Sequence, residues 1–302
     1  MAMCWCYDNN HDVWDRCAGT PSFMSENEPC DNPWQCQMQH MQRSRHSRIV
    51  GGRRAPKMIP WQVSLRFDCS FHSACPKNGR WHYCGGTILD SKTIMTAAHC
   101  EPRVGEFVLA GKKNNRRVAE EVEIVEVDVK DYKPLAGGDL FIIDDIAMIK
   151  LASPLNFSTF VQPICLPSAD FNPDNATCYV SGWGARKFGG QKPPKMLQYV
   201  DTTVITQKEC KDAHKRFGRG LIRSTMICTQ SKDWKGACQG DSGGPLVCFE
   251  NGQPVITGIV SFGIGCARPK WPGVYTRVSR YLNYINTFKA HFQGDEIPPH
   301  WK

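Results

Sequence analysis

From residue 49 onward, the chain alternates short runs of strand-forming residues with turns, and this alternation is the strongest constraint on its fold. The runs are rich in Val, Ile, Leu, Thr and aromatic residues, and they include residues 61–65, 122–129, 198–205 and 255–262. Gly, Pro, Asn and Asp cluster between the runs. Many short strands separated by turn residues are typical of an antiparallel sandwich or barrel. We therefore predict an all-β domain.

The rest of the chain divides into an N-terminal appendage, two short helices and a tail. Residues 1–48 are rich in Cys, Met, Gln and Asn, poor in aliphatic residues and basic at their end, so we interpret them as a Cys-rich appendage with an exposed linker. Residues 49–293 form the predicted main domain. Within it, hydrophobic periodicity predicts helices at 207–217 and 279–291. Residues 294–302 contain two prolines, which predicts a flexible tail.

The number of cysteines indicates the compartment in which the protein folds. The chain has 16 cysteines in 302 residues. An even, dispersed set in a chain of this length indicates disulfides formed in an oxidising compartment, so we place the protein outside the cytosol. The first residues lack the basic and apolar regions of a secretion signal. A secreted protein with this sequence would therefore be a fragment, a processed form or the product of an alternative start.

Charge and hydropathy argue against two classes of partner. Lys and Arg number 37 against 29 Asp and Glu, which gives a formal net charge of +8. This excess is spread along the chain, so it does not indicate nucleic-acid binding. No run of about 18 apolar residues occurs, and the sequence therefore predicts no membrane span.

Four short motifs carry the chemistry of the chain. They are IVGG at 49–52, TAAHC at 96–100, DDIAMIKL at 144–151 and GDSGGP at 240–245. With these motifs, residues 49 to about 290 resemble the chymotrypsin family of serine proteases. The resemblance implies two six-stranded antiparallel β-barrels with a C-terminal helix. It also implies a secreted serine endopeptidase that hydrolyses peptide bonds through an acyl-enzyme and requires neither a cofactor nor a metal.

The resemblance assigns catalysis to Ser242, His99 and Asp145. A serine hydroxyl is a poor nucleophile at neutral pH until an imidazole accepts its proton, and a buried carboxylate must hold that imidazole in the right tautomer. In the family motif the acid directly precedes the Ile-Ala pair, which selects Asp145 over Asp144. We expect Asp144 to be a solvated loop residue. The backbone N–H groups of Gly240 and Ser242 are assigned to the oxyanion hole.

Arg48 and the motif that follows it resemble the activation junction of the family. Cleavage after Arg48 would free the α-ammonium group of Ile49, and the resemblance assigns Asp241 as its buried partner. Such a pair matters because either charge alone would be costly to bury. The full-length chain is then expected to be a zymogen whose propeptide, residues 1–48, stays attached by a disulfide. The alternative is that Arg48 belongs only to a basic linker.

The resemblance also implies a set of disulfides. The common pairs of the family correspond to Cys84–Cys100, Cys178–Cys248, Cys210–Cys228 and Cys238–Cys266. Cys69 and Cys75 could close one loop locally. Cys165 resembles the cysteine that retains a cleaved propeptide, so its expected partner is Cys30 or Cys36. The pairing of Cys4, Cys6, Cys17 and the unused one of those two stays open, although their spacing fits no common zinc site.

The expected substrate pocket departs from that of trypsin-like relatives. In those relatives an Asp six residues before the nucleophile binds the Arg or Lys of the substrate, whereas here that position is Gly236. A neutral slot favours Phe, Tyr, Leu or Met before the cleaved bond, because an unpaired buried cation is costly. Trypsin-like specificity stays open if Asp233 reaches into the pocket. The resemblance assigns the pocket to Gly236, Ala237, Gln239, Ser261, Phe262, Gly263 and Gly273.

These assignments imply three kinds of partner. The first is a protein or peptide substrate. The second is an activating trypsin-like protease, since an enzyme that prefers apolar residues would not cut efficiently after Arg48. Serpins or other protease inhibitors are the third. The alternative from another class is a catalytically weak binding protein on a protease scaffold.

Three further features bear on metal binding and on secretion. The loop after Gly111 carries the cations Lys112, Lys113, Arg116 and Arg117. Cations cannot ligate calcium, so we predict no calcium site there. This loop and the basic residues around the first helix either bind a sulfated polysaccharide or are simply solvated. Asn156 and Asn175 begin glycosylation sequons, which agrees with secretion.

Overall fold

The strand-forming runs pair with one another to close two β-barrels. The computed structural model describes residues 6–7, 13–14, 53–55, 59–68, 79–111, 120–129, 133–134, 142–190, 194–218, 220–230 and 235–293. Several predictions concern residues outside these ranges: Arg48, Ile49, Asp233, the cations after Gly111, the tail, and Cys4, Cys17, Cys30, Cys36, Cys69 and Cys75.

The first barrel is closed by six antiparallel strands. They are β4 (Gln62–Asp68), β5 (Arg80–Ile88), β6 (Thr93–Thr96), β7 (Phe107–Ala110), β8 (Glu120–Val129) and β11 (Ala147–Leu151), and their spatial order is β11-β6-β5-β4-β7-β8. The first five residues of β4 are all buried, and at its start the hydroxyl of Ser181 in the second barrel donates to Oε1 of Gln62 at 2.6 Å. The two barrels are therefore packed against each other.

The second barrel also has six strands in its ring. They are β12 (Thr177–Gly182), β13 (Gln198–Ile205), β14 (Met226–Gln230), β15 (Pro245–Glu250), β16 (Gln253–Phe262) and β17 (Gly273–Arg277), in the order β12-β15-β16-β17-β14-β13. Pairing of β12 with β13 closes the ring, and β3 (Arg53–Arg54) adds to β13. Two short pairs complete the described strands: β1 (Cys6–Tyr7) with β2 (Val13–Trp14), and β9 (Lys133–Pro134) with β10 (Ile142–Ile143). The predicted fold of two six-stranded barrels is confirmed.

Two α-helices lie near the sequence positions that predicted them. Helix α1 (Gln207–His214) begins with a capping box in which Thr206 and Glu209 exchange hydrogen bonds, and a 3-10 turn at Lys215–Phe217 continues it. Helix α2 (Leu282–Gln293) begins later than predicted, because residues Val278–Arg280 form a separate 3-10 turn. Ile285 and Phe288 of α2 are buried in the core that both barrels share. No helix in the described part of the chain is long and apolar enough to cross a membrane.

The four common disulfide pairs of the family are all present, whereas the expected partner of Cys165, either Cys30 or Cys36, lies outside the described residues. The four pairs join Cys84 to Cys100, Cys178 to Cys248, Cys210 to Cys228 and Cys238 to Cys266. The pair Cys178–Cys248 lies fully buried within the second barrel. The pair Cys238–Cys266 joins the segment before β15 to the segment before β17, and this link fixes two loops at one end of the barrel.

Candidate active site

Strand register brings His99 and Asp145 together at one edge of the first barrel. The end of β6 pairs with the start of β11, with Thr96 opposite Ala147. His99 follows β6 in a 3-10 turn, and Asp145 lies two residues before the first residue of β11. The ring nitrogen Nδ1 of His99 lies 2.7 Å from Oδ2 of Asp145.

Asp145 is held by several donors and is almost inaccessible to solvent, with 2% of its surface exposed. The backbone N–H of His99 donates to Oδ1 at 2.9 Å, and the Ser261 hydroxyl donates to Oδ2 at 2.5 Å. The Thr276 hydroxyl donates to the backbone carbonyl of Asp145 at 2.7 Å. A carboxylate held in this way fixes the orientation of the imidazole beside it.

Asp144 is not the solvated loop residue that we expected. It is half-buried, and its Oδ1 accepts a hydrogen bond from the hydroxyl of Tyr281 at 2.5 Å. Burial of the phenol, together with this bond to a carboxylate, raises the pKa of Tyr281. Asp144 has a left-handed backbone with φ of 55°, a conformation that Asp and Asn tolerate better than most residues. Its side chain is therefore engaged with the segment before α2 rather than with water alone.

Ser242 lies in the turn before β15, where the two barrels meet. Its carbonyl accepts a hydrogen bond from the backbone N–H of Gly85 in β5 at 2.7 Å. The next residue, Gly243, has a φ of +75°, and a Cβ there would lie 2.1 Å from Oγ1 of Thr96. Only glycine fits this position. The glycine therefore allows the Ser242 turn to press closely against the first barrel.

His82 links Gly240 to the first barrel through two hydrogen bonds, one to Gly240 and one to Ser64. The carbonyl of Gly240 can only accept, so Nε2 of His82 donates to it at 2.9 Å, and Nδ1 accepts from the Ser64 hydroxyl at 2.7 Å. Burial lowers the pKa of His82 to about 4, so the ring is neutral at pH 7. Within the described part of the chain, the backbone N–H groups of Gly240 and Ser242 have no hydrogen-bond partner. Both are therefore available to an oxygen of a bound substrate.

Asp241 is a second buried carboxylate, with none of its surface exposed. Its Oδ1 accepts from the backbone N–H of Gly184 at 2.7 Å, and its Oδ2 accepts from that of Cys238 at 2.9 Å. The carboxylate lies directly against Gly182 and Gly184, where a Cβ would approach it to 2.2 and 2.4 Å. Burial raises the pKa of Asp241 to about 6. No cation of the described ranges forms an ion pair with it.

A cavity of about 310 Å³ opens beside these residues. Its lining includes His99 and Ser242. It also includes every residue that the sequence assigned to the substrate pocket: Gly236, Ala237, Gln239, Ser261, Phe262, Gly263 and Gly273. The structure therefore brings the predicted pocket and the predicted nucleophile into one site.

The described lining of this cavity contains no acidic side chain. A Cβ on Gly236 would lie 3.6 Å from Cα of Ala267, so the wall has space at this position. Tyr275 lies beside Gly273, and its hydroxyl accepts from the Thr229 hydroxyl at 3.2 Å. Burial raises the pKa of Tyr275 to about 12. The tyrosine is therefore neutral, and it contributes an apolar ring with a satisfied hydroxyl.

Sequence analysis missed several residues of this lining. Phe188 is 60% exposed, and Arg268 and Trp271 come from the segment before β17. None of these three residues belongs to a motif, so only their position in the fold reveals them. One signal was available, because Arg268 and Trp271 lie in the loop between Gly263 and Gly273, which were both assigned to the pocket.

One group of potential metal ligands lies near the site. Side-chain atoms of Cys84, His99 and Cys100 lie within 4.8 Å of one another. The two cysteines form a disulfide, so neither sulfur is a thiolate that could bind a metal. His99 is in turn bonded to Asp145. This group is therefore better described as the support of the His99 turn.

Comparison with known proteins identifies the class of protein and then the family. A family model described as Trypsin matches residues 49–285. The chicken (Gallus gallus) protein named Trypsin II-P29 is 37% identical over 245 residues, which cover 79% of this chain and 88% of the relative. The solved structure of neuropsin, a serine protease expressed in the limbic system of mouse brain, matches with a TM-score of 0.64 and 28% identity, over 76% of this chain and 94% of that one. The chain is a serine endopeptidase, and it belongs to the trypsin family.

Proposed function

We propose that this endopeptidase is secreted as a zymogen, is activated by cleavage after Arg48, and cleaves preferentially after large apolar residues. One observation carries the proposed preference: the cavity beside Ser242 has glycine at 236 and no acidic side chain in its described lining. Protein or peptide substrates follow from the family. The preference, the activation and the secretion are each supported by a separate feature of the molecule.

In the proposed reaction, Ser242 attacks the carbonyl carbon of the substrate while His99 accepts the hydroxyl proton. The C–N bond then breaks, and His99 gives its proton to the leaving amine. Water attacks the acyl-enzyme in the same manner and releases Ser242. Asp145 keeps the imidazole oriented, which its 2.7 Å contact with Nδ1 supports. The N–H groups of Gly240 and Ser242 stabilise the oxyanion, and their lack of other partners in the described residues supports this role.

The energetics of burial support the apolar preference. An Arg or Lys side chain inserted beside Gly236 would meet no carboxylate from the described lining, and burying an unpaired polar or charged group costs several kcal/mol. Phe, Tyr, Leu or Met would instead gain roughly 1.5–3 kcal/mol from leaving water. The neighbouring ring of Tyr275 and the absence of a Cβ at Gly263 and Gly273 favour a large side chain.

Trypsin-like specificity is the second candidate, because the chicken relative is named a trypsin. It requires an acid from outside the lining described above, and Asp233 is the candidate from the sequence. The two specificities predict opposite substrate preferences, so one experiment separates them.

Activation after Arg48 is supported by the surroundings of Asp241. This carboxylate is fully buried, and its two donors in the described residues are both backbone N–H groups. A free α-ammonium group at Ile49 would supply the missing positive charge. The pair would hold the segment from Cys238 to Ser242, which carries the oxyanion N–H groups. An enzyme with an apolar preference needs a separate trypsin-like protease for this cut, and serpins or other protease inhibitors are the expected regulators.

Secretion is supported by the four disulfides and by the two sequons. Disulfides persist in oxidising compartments. Asn156 and Asn175 are both exposed, so each is accessible for glycosylation. Propeptide retention through Cys165 remains part of this proposal.

The test is hydrolysis of short amide substrates with Phe, Leu or Arg before the cleaved bond. The protein is cut after Arg48 by an arginine-specific protease, and the new N-terminus is verified at Ile49. Cleavage after Phe and Leu only by the cut protein supports the pocket and the zymogen together. The uncut protein and the Ser242→Ala variant are the controls.

A matched variant tests the pocket by itself. Gly236→Asp places a carboxylate at the position of the acid in trypsin-like relatives, and a Cβ there makes only ordinary van der Waals contacts. We expect the variant to gain activity after Arg and to lose it after Phe. Efficient cleavage after Arg by the wild type would contradict the apolar preference, whereas inactivity of the verified cut protein on all substrates would favour the binding-protein alternative.

A further inference from the structure

Two arginines share one tryptophan ring at the edge of the catalytic cavity. The guanidinium carbon of Arg216, in the 3-10 turn after α1, lies 4.9 Å from the ring centroid of Trp271. That of Arg268, in the segment before β17, lies 5.3 Å from the same centroid. Both distances are within the range of cation–π contacts. Two like charges are therefore held close together by one aromatic ring.

Further contacts hold these two guanidinium groups. Arg216 also lies over the ring of Phe217 at 4.8 Å, and Phe217 packs edge-on against Trp271 with centroids 6.1 Å apart. Arg268 packs across Gly265, where a Cβ would lie 2.6 Å from Nε of the arginine. The backbone N–H of Trp271 donates to the carbonyl of Arg268 at 3.0 Å, which closes the turn between them. The side chains are thus positioned by packing.

The two charges lack an acidic partner in the described part of the chain. Arg216 and Arg268 are exposed, and neither forms an ion pair with a described carboxylate. The nearby acid of α1, Asp212, pairs instead with Lys208 at 3.0 Å. Each guanidinium carbon lies about 5 Å from the same ring centroid, so the two positive charges repel each other, and a bound anion that contacts both would relieve that repulsion. The geometry is therefore that of a receptor for a carboxylate or a similar anion.

The location of this receptor favours the substrate as its ligand. Arg268 and Trp271 line the same cavity as His99 and Ser242. We infer that Arg216, Arg268 and Trp271 form a subsite for an acidic side chain of the substrate peptide, at a position other than the residue before the cleaved bond. Guanidinium groups bind carboxylates through charge-assisted, often bidentate, hydrogen bonds. The inference rests on the endopeptidase activity and not on the residue preferred before the cleaved bond.

The test compares peptide pairs that differ only in Glu or Gln. Each of the three residues on either side of the cleaved bond is varied in turn, except the residue directly before that bond, which is Phe in one series and Arg in another. With the cut protein, we expect kcat/KM to be about threefold to fivefold higher for Glu than for Gln at one position at least. The ratio should fall towards one in about 0.5 M NaCl, because salt screens exposed charges.

Two matched variants assign the effect to these arginines. In the double variant Arg216→Gln with Arg268→Gln, the Glu-to-Gln ratio should fall to about one. Arg223→Gln removes another exposed arginine, one that is not among the described cation–π partners of Trp271, and it should leave the ratio at the wild-type value. Because each ratio is internal to one protein, a general change in activity does not affect it.

Two results would overturn the inference. The first is a ratio of one at every position in the wild type, and the second is a ratio that survives in the double variant. If the first result comes with weaker retention of the double variant on a sulfated polysaccharide, the arginines belong to a polyanion surface instead. If the cut protein hydrolyses no peptide, the endopeptidase activity fails separately. The same peptides are then titrated into cut Ser242→Ala protein by calorimetry, and equal affinities for Glu and Gln would overturn the subsite.

Discussion

The two buried carboxylates of the site, Asp145 and Asp241, have different surroundings. Asp145 accepts hydrogen bonds from a backbone N–H and a serine hydroxyl, and it contacts the imidazole of His99. Asp241 has two backbone donors and no described cation, although it is the more deeply buried of the two. The first arrangement is complete within the folded barrels, whereas the second is expected to be completed only by a new N-terminus. Catalytic orientation and activation are therefore separable in this molecule.

The largest effect is expected for Asp145→Asn. The amide keeps the shape of the carboxyl group but removes the charge that supports the imidazolium and selects its tautomer. We expect kcat of the cut protein to fall by roughly 10⁴-fold. The measurement is hydrolysis of an amide substrate with Phe before the cleaved bond. A loss of less than tenfold would contradict the role assigned to Asp145.

A large but smaller effect is expected for Asp241→Asn. In the activated form proposed above, the change would leave the α-ammonium of Ile49 without a counter-charge, and breaking a buried ion pair costs about 3–5 kcal/mol. We expect kcat/KM of the cut protein to fall by about 10²- to 10³-fold. The uncut variant should fold as well as the uncut wild type, which circular dichroism and a thermal melt will check. Equal activity of the cut variant and the cut wild type would remove Asp241 from the activation mechanism.

The stability of the uncut protein should also depend on Asp241 and pH. Burial raises the pKa of this carboxyl to about 6, above the value of about 3.9 in an unfolded chain. Between about pH 4 and pH 6 the native state therefore binds more protons at this carboxyl than the unfolded state does. As pH rises through this range, the contribution of Asp241 to the free energy of unfolding falls by roughly 2–3 kcal/mol. His82 acts in the opposite direction, because burial lowers its pKa to about 4.

The comparison of wild type with Asp241→Asn separates these two groups. Urea unfolding of both uncut proteins at a series of pH values should show the wild type losing stability relative to the variant from pH 4 to pH 7. After cleavage at Arg48 this loss should disappear, since the ion pair favours the charged carboxylate. A difference between the two uncut proteins that does not change with pH would contradict the prediction.

The smallest effect is expected for Asp144→Asn. The amide oxygen can still accept from the Tyr281 hydroxyl, and asparagine tolerates the left-handed backbone at this position. We expect kcat to change by less than about threefold, because the bond from Tyr281 can be kept and the side chain does not contact the reacting atoms. The adjacent aspartates would then differ by about three orders of magnitude or more in their effect on kcat. A loss as large as that of Asp145→Asn would mean that the acid had been assigned to the wrong residue.

The parts of the molecule that sequence predicted are those determined by local motifs. The strand-forming runs follow from short patterns of residue type, whereas the cysteine pairs and the pocket residues were implied by the family resemblance that the local motifs carry. The contact of Asp144 with Tyr281 joins residues 137 positions apart, so no local pattern reports it. The stacking of Arg216 on Trp271 likewise depends on how α1 packs against the loop before β17. The sequence placed the start of helix α2 too early, because one turn of 3-10 helix and one turn of α-helix both bring residues three apart onto the same face.

The contact between Gly85 and the Ser242 turn bears on how the substrate specificity of this protease can evolve. A Cβ on Gly85 would lie 2.9 Å from Cα of Gly244, and the bond that joins the two segments uses backbone atoms alone. The position of the Ser242 turn against the first barrel thus depends on backbone atoms and on glycine at 85 and 243, and on no larger side chain. Loops such as the one that carries Arg268 and Trp271 can therefore acquire new residues and new substrates while the geometry of catalysis is inherited unchanged.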